Sequence, residues 1–299
     1  MTTAFQLKTP PIFDYEACLK FLGRSPLECL FRIEDKTIKT LYPFGEDKIF
    51  VKICQQNDTG LSIHCSGFNS DESTVIEAVS QYIRQWLDLD TSLVDFYNVA
   101  KNSPVLAPLA KQFHGLRLIG IPSLFESLSW SVIGQQINLK FAYTIKKRLV
   151  ENYGYSVNID NINYYCFPEP EVVAGLTIDI LKAIQFSRQK AEYIIGIAQI
   201  MSKGQLTKSH LAQFSFDEAR KELVKIKGVG NWSANYVLMK CVRHPQAFPI
   251  EDVGLHNALK FQLGLDKKPS IDTIKQLAEP WGNWKAYATF YLWHSLLNG

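Results

Sequence analysis

The stretch LVKIKGVGNWSANYVLM, Leu223 to Met239, constrains this chain more than any other: it reads as helix, tight glycine turn, helix, and an acidic residue, Asp252, follows 22 positions beyond Gly230. Gly228 and Gly230 bracket Val229, so the backbone there is free to take positive φ and turn its amides outward. The second helix starts at once and aims its own unpaired N–H groups the same way. Amides converging at a helix N-terminus suit an anion such as a phosphate. Ser215, followed three residues later by Glu218, predicts a capping box at the start of the first helix, and Ala219, Leu223 and Ile226 line one of its faces. On the second helix Trp232, Tyr236 and Met239 recur at helical spacing, while Lys225 and Lys227 flank the turn with positive charge. A Gly-x-Gly turn alone joins helices in many folds, so its meaning depends on its surroundings.

Those surroundings resemble the helix-hairpin-helix DNA glycosylases, and within them the alkylbase branch typified by bacterial DNA-3-methyladenine glycosylase II. Five blocks carry the resemblance in the family's order: FESLSWSVIGQQI at Phe125 to Ile137, FSRQKAEYIIGIAQ at Phe186 to Gln199, the hairpin IKGVGNWSANY, AFPIEDVGLHNAL at Ala247 to Leu259, and WGNWKAYATFYLW at Trp281 to Trp293. The resemblance implies an α+β protein. A small N-terminal antiparallel β-sheet domain, similar to half of a TATA-binding protein, precedes a two-lobed all-α core with a cleft between the lobes. It implies Asp252 as the catalytic carboxylate, Trp232, Tyr236 and Trp293 as pocket aromatics, and the hairpin amides of Gly228, Val229 and Gly230 as the grip on the strand beside the lesion. Gln136 matches the residue that enters the duplex beside the flipped nucleotide, with Gln135 next to it. Superfamily members that also nick the strand carry a lysine where this chain has Trp232, so the implied product is a free base and an intact abasic strand. The family's hairpin often binds a monovalent cation, Na+ or K+, through backbone carbonyls, which here belong to Val224, Ile226 and Val229; no other cofactor is implied.

The chemistry agrees with this assignment. Breaking an N-glycosidic bond builds oxocarbenium-like charge on the sugar, which a fixed carboxylate stabilises. A base made cationic by alkylation leaves as a neutral purine, so a second acid is dispensable. Asp252 precedes the helix VGLHNALKFQL, where its negative charge meets the positive end of the helix dipole, although an Asp in that place can also be only an N-cap. Glu251 is expected to face elsewhere. An electron-deficient methylated purine stacks well on electron-rich rings, and a nucleotide drawn out of the stack leaves a gap that Gln136 could fill by hydrogen-bonding the orphaned base.

Composition bounds the class without choosing an activity. With 299 residues, 46% hydrophobic content, a net charge of +3 and a pI near 8.4, the chain has ample core and only a mildly basic balance. DNA affinity therefore has to come from local placement, to which Lys140, Lys146, Lys147 and Arg148, and Arg188 with Lys190, lend weak support. The six cysteines show no zinc spacing, and nothing after Cys241 could supply the four-cysteine cluster of the iron–sulfur relatives. Small buried thiols in a reducing cytosol are expected, as are a cytoplasmic location and no membrane segment.

Along the chain, residues 1–90 are expected to form the sheet domain, with strands in LFRIEDKTIKTLYPFGEDKIFVKICQQ and LSIHCSG and a covering helix from Ser73 to Leu87. Residues 91–299 are expected to form the helical core, with the hairpin over 216–242, a second capping box at Ser123 and Glu126, stops at Gly154 and Gly204 and a start at Ser187. No basic stripe is visible in the strands, so the sheet reads as a buttress without DNA contact. The expected partner is damaged double-stranded DNA, met by a monomer. Two alternatives stay open: a glycosylase for oxidised or deaminated bases, and a non-catalytic helix-hairpin-helix protein that senses damage.

Overall fold

The computed structural model describes residues 1–57 and 59–298. Five strands form an antiparallel sheet: β1 (Thr2–Lys8), β2 (Phe31–Glu34), β3 (Thr37–Phe44), β4 (Asp47–Asn57) and β5 (Gly60–Ser66), in the spatial order β1-β5-β4-β3-β2. Alternation gives the sheet two unlike faces. Ile33, Ile38, Ile53, Ile63 and Phe5 lie in register on the inner face, where Val51 and Cys65 also point. The helix Glu72–Leu87 lays Val75, Val79, Ile83 and Trp86 into the same core, as does the helix Tyr15–Leu22 with Cys18, Leu19 and Leu22.

Both helices start on an aspartate: Asp14 accepts from the Ala17 N–H at 2.9 Å and Asp71 from the Thr74 N–H at 3.0 Å. Neither β1 nor the helix Tyr15–Leu22 is evident in the sequence, β1 because an edge strand with one buried residue, Leu7, carries a weak pattern.

On the outer face the same register sets Arg32 opposite Lys39, Lys39 opposite Lys52, and Lys52 opposite His64. A basic row therefore crosses four strands, contrary to the sequence expectation, because residues far apart along the chain become neighbours only once the strands pair.

From Val94 onward the secondary structure is helical except for one hairpin, β6 (Ser156–Ile159) and β7 (Ile162–Tyr165), lying between the expected helix stop at Gly154 and the start at Ser187, in a core the sequence resemblance implied to be all-α. Asp160 and Asn161, both at positive φ (50° and 62°), make its two-residue turn. The hairpin packs on the outer sheet face, with Tyr164 set edge-on to Phe50 at a centroid separation of 4.7 Å.

The buried helix Leu124–Ile133 is the axis of the helical body and packs against Arg188–Ser202 and Asn231–Val237. Its expected capping box is only half formed. Ser123 Oγ accepts from the Glu126 N–H at 3.3 Å, but the Glu126 carboxylate turns inward to Lys146 Nζ at 3.0 Å. Lys146 also lies 3.1 Å from Glu28 and is nearly inaccessible, so it is withdrawn from any DNA-facing cluster. Burial opposes ionisation of both acids. Lys146 and the N–H groups of Leu30 and Cys29 overcome it at Glu28, whose carboxyl stays below the ordinary range, whereas burial prevails at Glu126 and raises it.

Sheet and helices share one continuous core, in which Phe21 meets Phe290 at 4.5 Å. Arg117, wholly buried, donates to the carbonyls of Asp88 (2.8 Å from Nε), Ile12 (3.1 Å) and Thr91, tying three loops together. All six cysteines are free thiols, and four of them, Cys18, Cys65, Cys166 and Cys241, are buried. Among the described residues no His/Cys/Asp/Glu cluster could hold a metal, and no helix is long and apolar enough to cross a membrane. Replacing Arg117 by Leu leaves buried carbonyls without a donor, and a loss of about 3 kcal/mol is expected; a urea-unfolding midpoint equal to wild type would refute this role.

Candidate active site

Asp252 is held by its own chain and by two tryptophans. It caps the helix Val253–Gln262, with Oδ1 accepting from the Leu255 N–H at 2.8 Å, and its own N–H donates to Pro249 O at 2.9 Å. His256 Nε2 lies 2.7 Å from Ile250 O and fastens the preceding loop. Trp293 Nε1 donates to Oδ1 at 2.8 Å, and Trp232 Nε1 donates to Oδ2 at 2.9 Å. Both carboxylate oxygens are thus aimed by indole N–H groups from two different helices. This is more than a cap requires, since the capping bond uses one oxygen.

The close approach depends on Gly254, which the sequence reading did not single out. A Cβ there would lie 2.9 Å from Asp252 Oδ1 and 3.3 Å from the Trp293 ring. A glycine two residues after a candidate acid, in the first helical turn, was the available signal.

Tyr236 lies between the two indoles, 5.6 Å from Trp232 and 6.0 Å from Trp293 by ring centroids. Its ring is buried, which pushes the phenol up from its ordinary range and leaves it a neutral, packed surface. Trp232 and Trp293 are half-buried, each with one edge on Asp252. The three aromatics assigned to the pocket from sequence therefore meet, joined through the carboxylate as well as through their faces.

The hairpin beside them follows the expected chain path with two corrections. Only Gly228 takes positive φ (92°); Gly230 is extended at φ −89° and ψ −177°. Tyr193 explains the first glycine sterically as well, because a Cβ at Gly228 would fall 2.3 Å from its ring. Val229 does not turn its amide outward: the side chain is buried and the N–H donates to Ile226 O at 3.0 Å. The outward amides are those of the first turn of Asn231–Val237, which opens at Gly230 without a side-chain cap.

At the start of the preceding helix the capping box is complete, the Glu218 carboxylate accepting from the Ser215 N–H at 3.0 Å. Lys225 and Lys227 are exposed and pair loosely with Glu222 (2.6 Å) and Glu192 (3.5 Å), contacts weak enough in water to be exchanged for a phosphate.

The two glutamines separate in role. Gln135 Nε2 donates to Gly228 O at 2.9 Å and to Ser233 Oγ at 3.1 Å, bolting the end of Leu124–Ile133 to the hairpin. Gln136 is exposed at φ +55°, an unfavourable conformation for a residue with a Cβ. Lys190 holds that turn, Nζ donating to the carbonyls of Ile133 and Gln135 at 2.7 Å each; this role removes it from the expected basic cluster.

Gln135, Gln136, Tyr193, the hairpin, Trp232 and the exposed Glu251 line one cleft of about 1050 Å³. Val224, Ile226 and Val229 border it too. The Ile226 carbonyl accepts the Val229 N–H at 3.0 Å and keeps a second lone pair, so a main-chain carbonyl set at the turn is compatible with a cation.

A hairpin stands at the cleft wall, a capping aspartate lies behind it and the sheet packs on the helical body. The sequence profile of the HhH-GPD superfamily of base excision DNA repair proteins matches residues 129–283, and that of the 8-oxoguanine DNA glycosylase N-terminal domain matches residues 30–128. The chain is 44% identical to a DNA-3-methyladenine glycosylase of Bacillus subtilis over 96% of its own length and 95% of the relative's. It is 27% identical to DNA-3-methyladenine glycosylase 2 of Escherichia coli over 60% of its length and 61% of that protein's. Among solved structures, a 3-methyladenine DNA glycosylase from Archaeoglobus fulgidus superimposes with a TM-score of 0.83 at 23% identity, covering 97% of both chains, a likeness of fold. The chain belongs to the DNA-3-methyladenine glycosylase family of the HhH-GPD superfamily and is a DNA glycosylase of base-excision repair.

Gly228→Ala is expected to lower the melting temperature and weaken DNA binding, through both the positive φ and the collision with Tyr193. The double variant with Tyr193→Ala should recover the part due to the collision. Thermal melts showing Gly228→Ala as stable as wild type would refute this account of the turn.

Proposed function

We propose that the protein is a monofunctional glycosylase that hydrolyses the N-glycosidic bond of alkylated purines, of the 3-methyladenine and 7-methylguanine class, in duplex DNA, acting as a monomer on a nucleotide drawn out of the stack. The observation that carries this reading is the Asp252 carboxylate, aimed by two indole N–H groups beside the hairpin cleft. As the base departs, positive charge grows at the sugar carbon, and a carboxylate already fixed in place stabilises it without reorganising. The cationic purine stacks on Trp232, Tyr236 and Trp293 and leaves neutral, so no acid need protonate it.

First-turn amides at Gly230 and Asn231, with Lys225 and Lys227, hold the backbone next to the lesion, and Gln136 fills the gap and hydrogen-bonds the orphaned base. A monovalent cation on the carbonyls of Val224, Ile226 and Val229 would add positive charge facing that phosphate. Water completes the reaction. Trp232 offers no amine for a Schiff base, which supports an intact abasic strand as product.

A second reading, excision of oxidised bases, draws on the match of residues 30–128 to the 8-oxoguanine glycosylase N-terminal profile. Incubation with methylated duplex DNA and with duplexes carrying 8-oxoguanine distinguishes the two. Release of 3-methyladenine and 7-methylguanine is expected, with Asp252→Asn slowing single-turnover release about 100-fold or more while DNA is still bound. Release of 8-oxoguanine instead would favour the second reading, and unimpaired release by Asp252→Asn would refute the assigned carboxylate. Borohydride added during turnover should trap no protein–DNA adduct; a trapped adduct would refute the monofunctional assignment.

A further inference from the structure

The outer face of the N-terminal sheet carries the row Arg32, Lys39, Lys52 and His64, one residue from each of β2, β3, β4 and β5, at directly opposed positions. Directly opposed strand residues point to the same face, and adjacent strands lie about 4.8 Å apart, so the four side chains form a line about 14 Å long. Arg32, Lys52 and His64 are exposed and Lys39 half-buried. Strand side chains on this face include Lys8, Arg32, Lys39, Lys48 and Lys52, against one acid among the described residues, Glu34, which lies 2.5 Å from Lys39. Neither Arg32 nor Lys52 has a carboxylate at ion-pair distance among the described residues. Lys52 Nζ instead stands 5.7 Å from the centroid of the Phe50 ring.

Like charges placed directly opposite on paired strands are destabilising. Two such steps in sequence, Arg32 to Lys39 and Lys39 to Lys52, concentrate positive potential in a chain whose net charge is only +3. The neighbouring row, Leu41 and Phe50, is already covered by Tyr164 of the β6–β7 hairpin, which leaves the basic row as the open part of the face.

We propose that this row is a second DNA-binding surface, separate from the hairpin, that takes the phosphate backbone of duplex DNA without reading its sequence. Duplex DNA presents a charge about every 1.7 Å along its axis, so the three cations Arg32, Lys39 and Lys52, with His64 extending the row as a hydrogen-bonding side chain, meet several phosphates and release their counterions. The row has no aromatic platform for stacking unpaired bases, which favours the duplex over a single strand. Such a contact holds the enzyme on undamaged DNA while the hairpin samples it. It adds to the activity proposed above and does not require that the substrate assignment be correct.

The test uses the full chain, undamaged duplex DNA and fluorescence anisotropy across a salt series. R32Q/K52Q should bind about tenfold or more weakly at 0.1 M salt, with the slope of log K against log salt shallower by about 1.8. R32K/K52R should keep both affinity and slope, and K267Q/K268Q, which removes two exposed lysines elsewhere, should bind as wild type. In R32Q/K52Q the melting temperature should be unchanged or raised, because like-charge repulsion across the strands is relieved, and single-turnover base release at saturating enzyme should be unchanged. An unchanged slope in R32Q/K52Q, or an equal loss in K267Q/K268Q, overturns the proposal. So does a fall in melting temperature or release rate that R32K/K52R does not rescue, which would mark the row as structural. Loss of binding to anionic phosphatidylglycerol vesicles with DNA binding intact would assign the row to a membrane surface and overturn it as well.

Discussion

The site depends on one carboxylate that accepts three N–H donors from three parts of the chain. The Leu255 amide, the Trp293 indole and the Trp232 indole converge on Asp252. Each donor is positioned by a different element: the helix the aspartate caps, the C-terminal helix Lys285–Ser295 and the second hairpin helix Asn231–Val237. A charge that has to act on a transiently cationic sugar gains most when its orientation is settled before the substrate arrives, because no reorganisation is then needed at the transition state. The same bonds link Asp252 to the hairpin, since Trp232 lies two residues beyond Gly230 and also lines the cleft.

Two glycines make this arrangement sterically feasible for different reasons. Gly228 supplies a backbone conformation that L residues rarely adopt and lets the hairpin lie against Tyr193, whereas Gly254 supplies only space, letting Trp293 reach the aspartate over the first helical turn. The supporting polar contacts follow the same logic of fixing main chain by side chain. Gln135 reaches the Gly228 carbonyl, and Lys190 closes the end of the helix that precedes Gln136. Gln136 is thereby presented to the cleft on a turn held from both sides. A side chain offered to a duplex from a loosely held loop would have to be ordered at entropic cost.

Much of this was legible in the sequence, and the exceptions share a physical cause. Glycine spacing, capping residues and helical periodicity are local, so the hairpin could be read directly, while its acid and its aromatic neighbours were legible through the family resemblance of the blocks that carry them. Features that arise between distant segments could not. Lys146 belongs by sequence to a basic cluster, whereas the fold encloses its ammonium between Glu28 and Glu126. The glycines around Val229 reveal the turn, but its internal bond to Ile226 forms only in the folded chain. The β6–β7 hairpin carries only a short signal, VNIDNINYY alternating around an Asp-Asn pair between two long helical patterns. The basic row on the sheet is the clearest case, since positions 32, 39, 52 and 64 have no common period along the chain and become a line only through strand register.

The role proposed for Asp252 is electrostatic, its negative charge acting on a positively charged sugar. It is tested most directly by comparing affinity for duplexes bearing a cationic pyrrolidine in place of the damaged nucleoside with affinity for duplexes bearing its neutral tetrahydrofuran analogue. Wild type should prefer the cation by about tenfold or more, corresponding to about 1.4 kcal/mol, and Asp252→Asn should lose that preference while binding the neutral duplex as before. Equal preference for the cation in the two proteins would contradict the account.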